Sequence, residues 1–220
     1  MVSSTNDRSD FPSQVVRGGA LWVVCGGIAG LFSGLFTLSL VREQLHIHCS
    51  TGPPGTEGAG SWVCADGIGY MTWAVLLGGM TVTLVIAGAL VAGLARRNGP
   101  ARVALVLLAV VSVCWVLVWT WLGSSHYVDV PPGVRSVDYW FGAVAPAATV
   151  AALALGVALL GLLFTGALGR VLTWVAAAGL AVAAIMQPGL GVSTLLAAGL
   201  LIGATTRIRS TPKTGTLTPA

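Results

Sequence analysis

Six stretches of this chain are long and apolar enough to demand a hydrocarbon surrounding. The first, Gly18–Val41, has 24 residues and lies between Arg17 and the pair Arg42–Glu43. As a helix it would extend about 36 Å, against roughly 30 Å for a bilayer core. No small-x-small cleavage site precedes Arg42, so it reads as a retained span rather than a signal peptide. Tyr70–Ala95 and Val103–Gly123 follow, separated by the basic turn Arg96 to Arg102 with its own Gly and Pro. The fourth stretch runs from about Trp140 to Leu168, with Pro146 in its first two turns. Arg170 marks the next turn. Val171–Gln187 and Leu190–Thr206 complete the set, divided by Gln187-Pro188-Gly189.

Composition removes the alternatives. Charged residues are 8% of the 220 and hydrophobic residues 55%, with a mean hydropathy of +0.89. A soluble fold of this size cannot cover so much apolar surface with so few charges, and disordered chains are polar. The expected fold class is therefore an all-α integral membrane protein, a six-transmembrane-helix bundle. Its parts are a cytoplasmic N-terminal segment (1–17), a transmembrane domain (18–206) and a cytoplasmic tail (207–220). The spans fall at about 18–41, 70–95, 103–123, 140–168, 171–187 and 190–206.

Arginines set the expected orientation, because Lys and Arg collect on the cytoplasmic side. With both termini inside, Arg8, Arg17, Arg96, Arg97, Arg102, Arg170, Arg207, Arg209 and Lys213 fall inside, which is nine of eleven basic residues. Five of seven acids (Glu43, Glu57, Asp66, Asp129 and Asp138) fall outside. A five-span alternative, merging or re-entering the last two stretches, would send Arg207, Arg209 and Lys213 outward. Tyr70, Trp73, Trp119, Trp121, Tyr139 and Trp140 come at outer ends and Trp22 and Trp174 at inner ones, the depth that amphipathic rings prefer. Abundant Ala, Gly and Val, with one Lys against ten Arg, suggest a bacterial plasma membrane as the setting.

Two outer segments, Arg42–Gly69 and Ser124–Tyr139, are the only sizeable loops. Cys49 and Cys64 share the first of them on the oxidising side and are expected to form a disulfide. Cys25 and Cys114 lie in spans, where thiols act as small apolar packing groups. His46, His48 and His126 are all outside. His46 and His48, at i and i+2, share a face only on extended backbone. With Asp129 or Asp138 they form the one candidate metal site, for Zn or Cu, although the spacing matches no established ligand motif. The bland alternative is interfacial histidines with wet ring edges, and the expectation is no cofactor. Trp62 and Tyr127 are the candidate partner-binding aromatics.

Gly26, Gly30 and Gly34 repeat at i, i+4 and i+8, a stripe that lets helix backbones approach closely in lipid. Gly199 and Gly203 repeat the pattern on the last span. No Asp, Glu, Lys, Arg or His lies inside any proposed span, which argues against proton-coupled transport and voltage sensing. Gln187-Pro188-Gly189 fits a loop at the outer surface. No cofactor fingerprint, catalytic triad, phosphate loop or nucleic-acid motif is present. The reading is a non-enzymatic accessory, scaffold or assembly subunit that meets another membrane or extracytoplasmic protein through its outer loops. A channel or carrier for a small uncharged or lipophilic solute is the alternative. A membrane enzyme using the outer His, Asp or Cys groups comes third. Apart from the lipid bilayer and such a protein no partner is implied, and nucleic acid is not.

Overall fold

The computed structural model describes residues 11–208 apart from 53–54, 56–59, 96 and 131–132, with side chains from residue 18 onward. Arg8, Arg209, Lys213 and Glu57 lie outside the described residues, as do Arg96 and the side chain of Arg17. The described residues form seven α-helices: α1 Phe11–Ser39, α2 Met71–Leu94, α3 Asn98–His126, α4 Ser136–Ala143, α5 Ala145–Leu163, α6 Ala167–Met186 and α7 Gly191–Thr205. Among the described residues six helical segments are long and apolar enough to cross a membrane: Gly18–Gln44, Gly67–Leu94, Asn98–His126, Ala145–Leu163, Ala167–Met186 and Pro188–Thr205. The chain is thus a helical membrane bundle with multiple spans.

Their arrangement is not sequential. The last helix, α7, occupies the middle, against α1, α3 and α6, with α2 beside it. Every α7 residue except Leu195 and Ile202 is buried. The sequence suits that place: Gly, Ala, Ser and Thr let neighbours come close, where the dispersion of tight packing replaces the hydrophobic drive that lipid cannot supply. A Cβ on Gly26 of α1 would lie 2.8 Å from the Leu195 carbonyl oxygen and 2.9 Å from the Gly199 Cα. One on Gly30 would lie 2.8 Å from the Val192 oxygen, whereas Gly34 has nothing within 4 Å. The stripe is therefore two residues of helix contact and a third on open surface.

Three boundaries differ from the sequence reading, each for a hydrogen-bonding reason. The helix α3 starts at Asn98, so Arg102 lies within it and is 8% exposed. Its Nη1 donates to the Phe164 carbonyl at 3.0 Å and its Nη2 to that of Gly161, carbonyls at the end of α5, where the helix runs out of N–H donors and Gly161 O has only the Phe164 N–H. The turn into α6 is Phe164-Thr165-Gly166, with Gly166 at φ 80°, and Arg170 lies inside α6. Its Nη2 donates to Ile208 O at 3.2 Å. The fourth stretch divides at Val144 into α4 and α5. Pro146 sits in the first turn of α5, where its missing N–H goes unnoticed. Arg207, 6% exposed, repeats the device of Arg102: it donates to Ala95 O at 2.9 Å and to Ala92 O at the end of α2.

The turn Gln187-Pro188-Gly189 is another correction. It lies at the end of the bundle that carries the two long loops, but inside it. Gln187 is 6% exposed, and Gly189 and Leu190 are buried. Gln187 Nε2 donates to Gln44 Oε1 and to Ala143 O, both at 2.8 Å, and Thr37 Oγ1 donates to Gly189 O at 2.7 Å. A break in apolar helix is tolerated at depth when its freed groups find partners in the protein.

Candidate functional site

The two long loops form one cap. Chain 40–44 leaves α1 through a π-helical turn, with Leu40 and Val41 buried. Strand β1 (Cys49–Thr51) then pairs antiparallel with β2 (Trp62–Cys64) and parallel with β3 (Val128–Asp129), giving the order β2-β1-β3. These strands are too short to leave a period in the sequence. The first loop is thereby bonded to the second: His48 N–H donates to Tyr127 O at 2.8 Å and Ala65 N–H to His48 O at 3.0 Å. Cys49 stands opposite Cys64 in the ladder and the two form a disulfide, with Cα atoms 3.9 Å apart.

The turn into β1 carries the two histidines. Both have left-handed backbone, His46 at φ 51° and His48 at φ 59°, a region that L side chains adopt rarely and that concentrates at functional positions. A turn closes there, with Cys49 N–H donating to His46 O at 3.0 Å. Ile47 between them is fully buried, and its carbonyl accepts from Tyr70 OH at 2.9 Å. The two imidazoles accordingly diverge into separate aromatic groups. His46 stacks on Trp62 with centroids 4.1 Å apart and planes 22° from parallel. Tyr139 meets both edge-on, at 5.1 Å from His46 and 5.8 Å from Trp62. His48 lies 5.2 Å from the Tyr127 ring and 6.3 Å from that of Tyr70.

The His46 imidazole is held below its ordinary pKa of 6.5 because burial disfavours the charged ring; the nearby Gln44 carbonyl pulls weakly the other way. Its Nδ1 is buried without a hydrogen-bond partner. His126, at the end of α3, is exposed and its Nδ1 lies 3.1 Å from Leu122 O. Asp129 is exposed on β3. Among the described residues no group of three or more His, Cys, Asp or Glu could hold a metal ion. The structure thus does not gather His46, His48, His126 and Asp129 into a ligand set, because the left-handed turn sends the first two rings apart.

Trp62 is half-buried in its stack, while Tyr127 is 55% exposed and Val63, on the same sheet, 59%. Tyr139 and Tyr70 read from sequence only as interfacial rings; the density of aromatics at this end was the available signal of a cluster. The ion pair Arg135–Asp138, at 3.7 Å, is exposed and contributes little. Comparison of the chain with protein-family models, with curated proteins and with solved structures finds no match.

Proposed function

We propose that this protein is a non-enzymatic accessory or assembly subunit of a membrane complex, and that its two-loop cap docks a membrane or extracytoplasmic partner. In this reading both termini are cytoplasmic and the cap faces outward from a bacterial plasma membrane, as the arginine distribution favours. The observation that carries the proposal is the build of the cap. A disulfide, a sheet shared by two loops and two left-handed histidines hold Tyr127 and Val63 in fixed, solvent-facing positions. Rigid aromatics presented on ordered backbone lose little entropy on binding, which makes them effective anchors. Trp62 supports the surface from beneath by its stack with His46.

The test is co-purification in mild detergent. Tyr127→Ala, and separately Trp62→Ala, should release a protein that co-purifies with the natural chain while leaving membrane insertion intact. Retention of that protein by both variants would defeat the proposal.

A second reading has one observation in its favour. A groove of about 210 Å³ between α1 and α2 is lined by Leu31, Gly34, Leu35, Trp73, Leu77 and Gly78, with further residues of both helices. An apolar recess of this kind suits a carrier of a lipophilic solute. Solute flux in liposomes containing this protein alone, undiminished by Tyr127→Ala, would favour that reading.

A further inference from the structure

At the end of the bundle opposite the cap, a pocket of about 220 Å³ is lined by Asn98, Gly99, Arg102, Thr165, Gly166 and Ile208. One arginine lines it and two more bond its lining residues. Arg102 lines it directly. Arg207 Nη1 lies 3.4 Å from Asn98 Oδ1, and Arg170 Nη2 donates to Ile208 O at 3.2 Å. All the described carboxylates, Glu43, Asp66, Asp129 and Asp138, belong to the cap end. Arg102 and Arg207 are bonded to carbonyl oxygens, which satisfy N–H groups without neutralising charge. Both are more than nine-tenths buried, and the Nε of each is without a partner.

The pocket also holds the start of a long helix. Asn98 and Gly99 open α3, no side chain caps it, and Pro100 supplies no N–H. A 29-residue helix presents partial positive charge at this point. Topology alone would ask only that arginines lie on this side of the membrane. It does not ask that two of them, Arg102 and Arg207, be buried beside a recess with a hydroxyl, an amide and a helix N-terminus. A guanidinium has five donors in a fork that matches phosphate oxygens, and Arg102 commits two of them to Phe164 and Gly161.

We infer that this pocket binds the phosphate group of an anionic phospholipid. The lipid is favoured over free phosphate because the recess lies at the ends of apolar helices long enough to cross a membrane, beside the exposed side chains of Leu163 (76%) and Leu168 (52%). Basic pockets between spanning helices are an established form of headgroup recognition.

The test uses the full-length protein in mild detergent, with bound lipid counted by native mass spectrometry. Phosphatidylglycerol and phosphatidylcholine are offered separately, and inorganic phosphate in a third arm. Two variants place a carboxylate in the recess without harming the fold. A Cβ on Gly99 meets nothing within 4 Å, and an acid in the first turn suits the helix dipole, so Gly99→Asp should fold. Asn98→Asp is isosteric and faces Arg207. The natural chain should retain phosphatidylglycerol in preference to phosphatidylcholine, and both variants should weaken that retention roughly tenfold or more, the worth of one charge-assisted hydrogen bond. Gly99→Asn, a neutral control, should keep it. Equal phosphatidylglycerol retention by the natural chain and both carboxylate variants would overturn the inference. So would protection of the protein by inorganic phosphate with no retention of phosphatidylglycerol, which would assign the pocket to a soluble anion.

Discussion

Gly26 and Gly199 face one another with no side chain between them: a Cβ on the first would lie 2.9 Å from the Cα of the second, and one on the second 3.0 Å from the Cα of the first. The contact is backbone on backbone, so neither side can yield by changing a rotamer. Gly26→Leu and Gly199→Leu should each lower stability in detergent by about 1–3 kcal/mol or prevent folding, as overpacking does. Gly30→Leu should behave alike, against the Val192 carbonyl. Gly34→Leu should leave thermal unfolding nearly unchanged. A Gly34 variant as damaged as the Gly26 variant would mean that the surface at Gly34 is covered by something other than lipid.

The covalent tie is checked without reduction. Peptide mapping of protein from the native membrane should recover Cys49 and Cys64 in one cross-linked species, with Cys25 and Cys114 as thiols. Replacing both Cys49 and Cys64 by Ser should destabilise the cap by about 3 kcal/mol, the entropy of a closed loop of this length. The loss should be read as faster amide exchange over Cys49–Thr51, Trp62–Cys64 and Val128–Asp129, since β1 pairs with both partners.

Acidification should loosen the same cap. The folded-state pKa of His46 lies below 6.5 because its ring is buried, so the unfolded state binds the proton more readily. Stability is therefore fully present above the unfolded value and declines as pH falls from about 6.5 toward the folded one. Trp62 fluorescence should follow that decline, because the two rings stack. His46→Phe should flatten the profile; an unaltered profile in that variant would assign the dependence to another group.

Gln187 holds the buried break before α7. Gln187→Leu removes both of its Nε2 bonds and leaves the Ala143 carbonyl unpaired, so a loss of about 1–3 kcal/mol in detergent stability is expected. Gln187→Glu should be worse, since a carboxylate would face two acceptor oxygens, Gln44 Oε1 and Ala143 O. Equal stability of the Glu variant and the natural chain would show that the site is wetter than its 6% exposure implies.

Orientation is settled by single cysteines in a background without the native ones. Asp129→Cys, at the cap, should label with an impermeant maleimide in sealed cells. Arg97→Cys, at the opposite end, and a cysteine at Thr214 should not. Labelling at Thr214 from outside would reverse or shorten the six-span topology.

Hydropathy made the six spans legible because burying a run of apolar residues in lipid needs length and little else. It erred where a residue does two things. Arg102 and Arg170 read as markers of loops, which their charge suggests, but both lie in helices, Arg102 reaching carbonyls at the end of α5 and Arg170 one just past the end of α7. That role depends on which helix ends lie beside them, and local sequence does not carry it. The disulfide was legible from compartment and spacing. The sheet that joins the two loops was not, because strands of two or three residues have no period. Nor was the separation of His46 from His48, which follows from two left-handed residues where a non-glycine sequence gives no warning.

The central place of α7 has a consequence for biogenesis. It is the last of the six apolar segments to leave the ribosome, yet α1, α3 and α6 each pack against it. Until it arrives, those earlier helices have a Gly-lined face of α1 and the polar Ser33 and Thr37 turned toward lipid. The pairs α1 with α2 and α5 with α6 can pack as they are made, but the face of α1 that carries Gly26 and Gly30 stays open until the fifteen-residue α7 enters, so this helix acts as the bolt that closes the bundle.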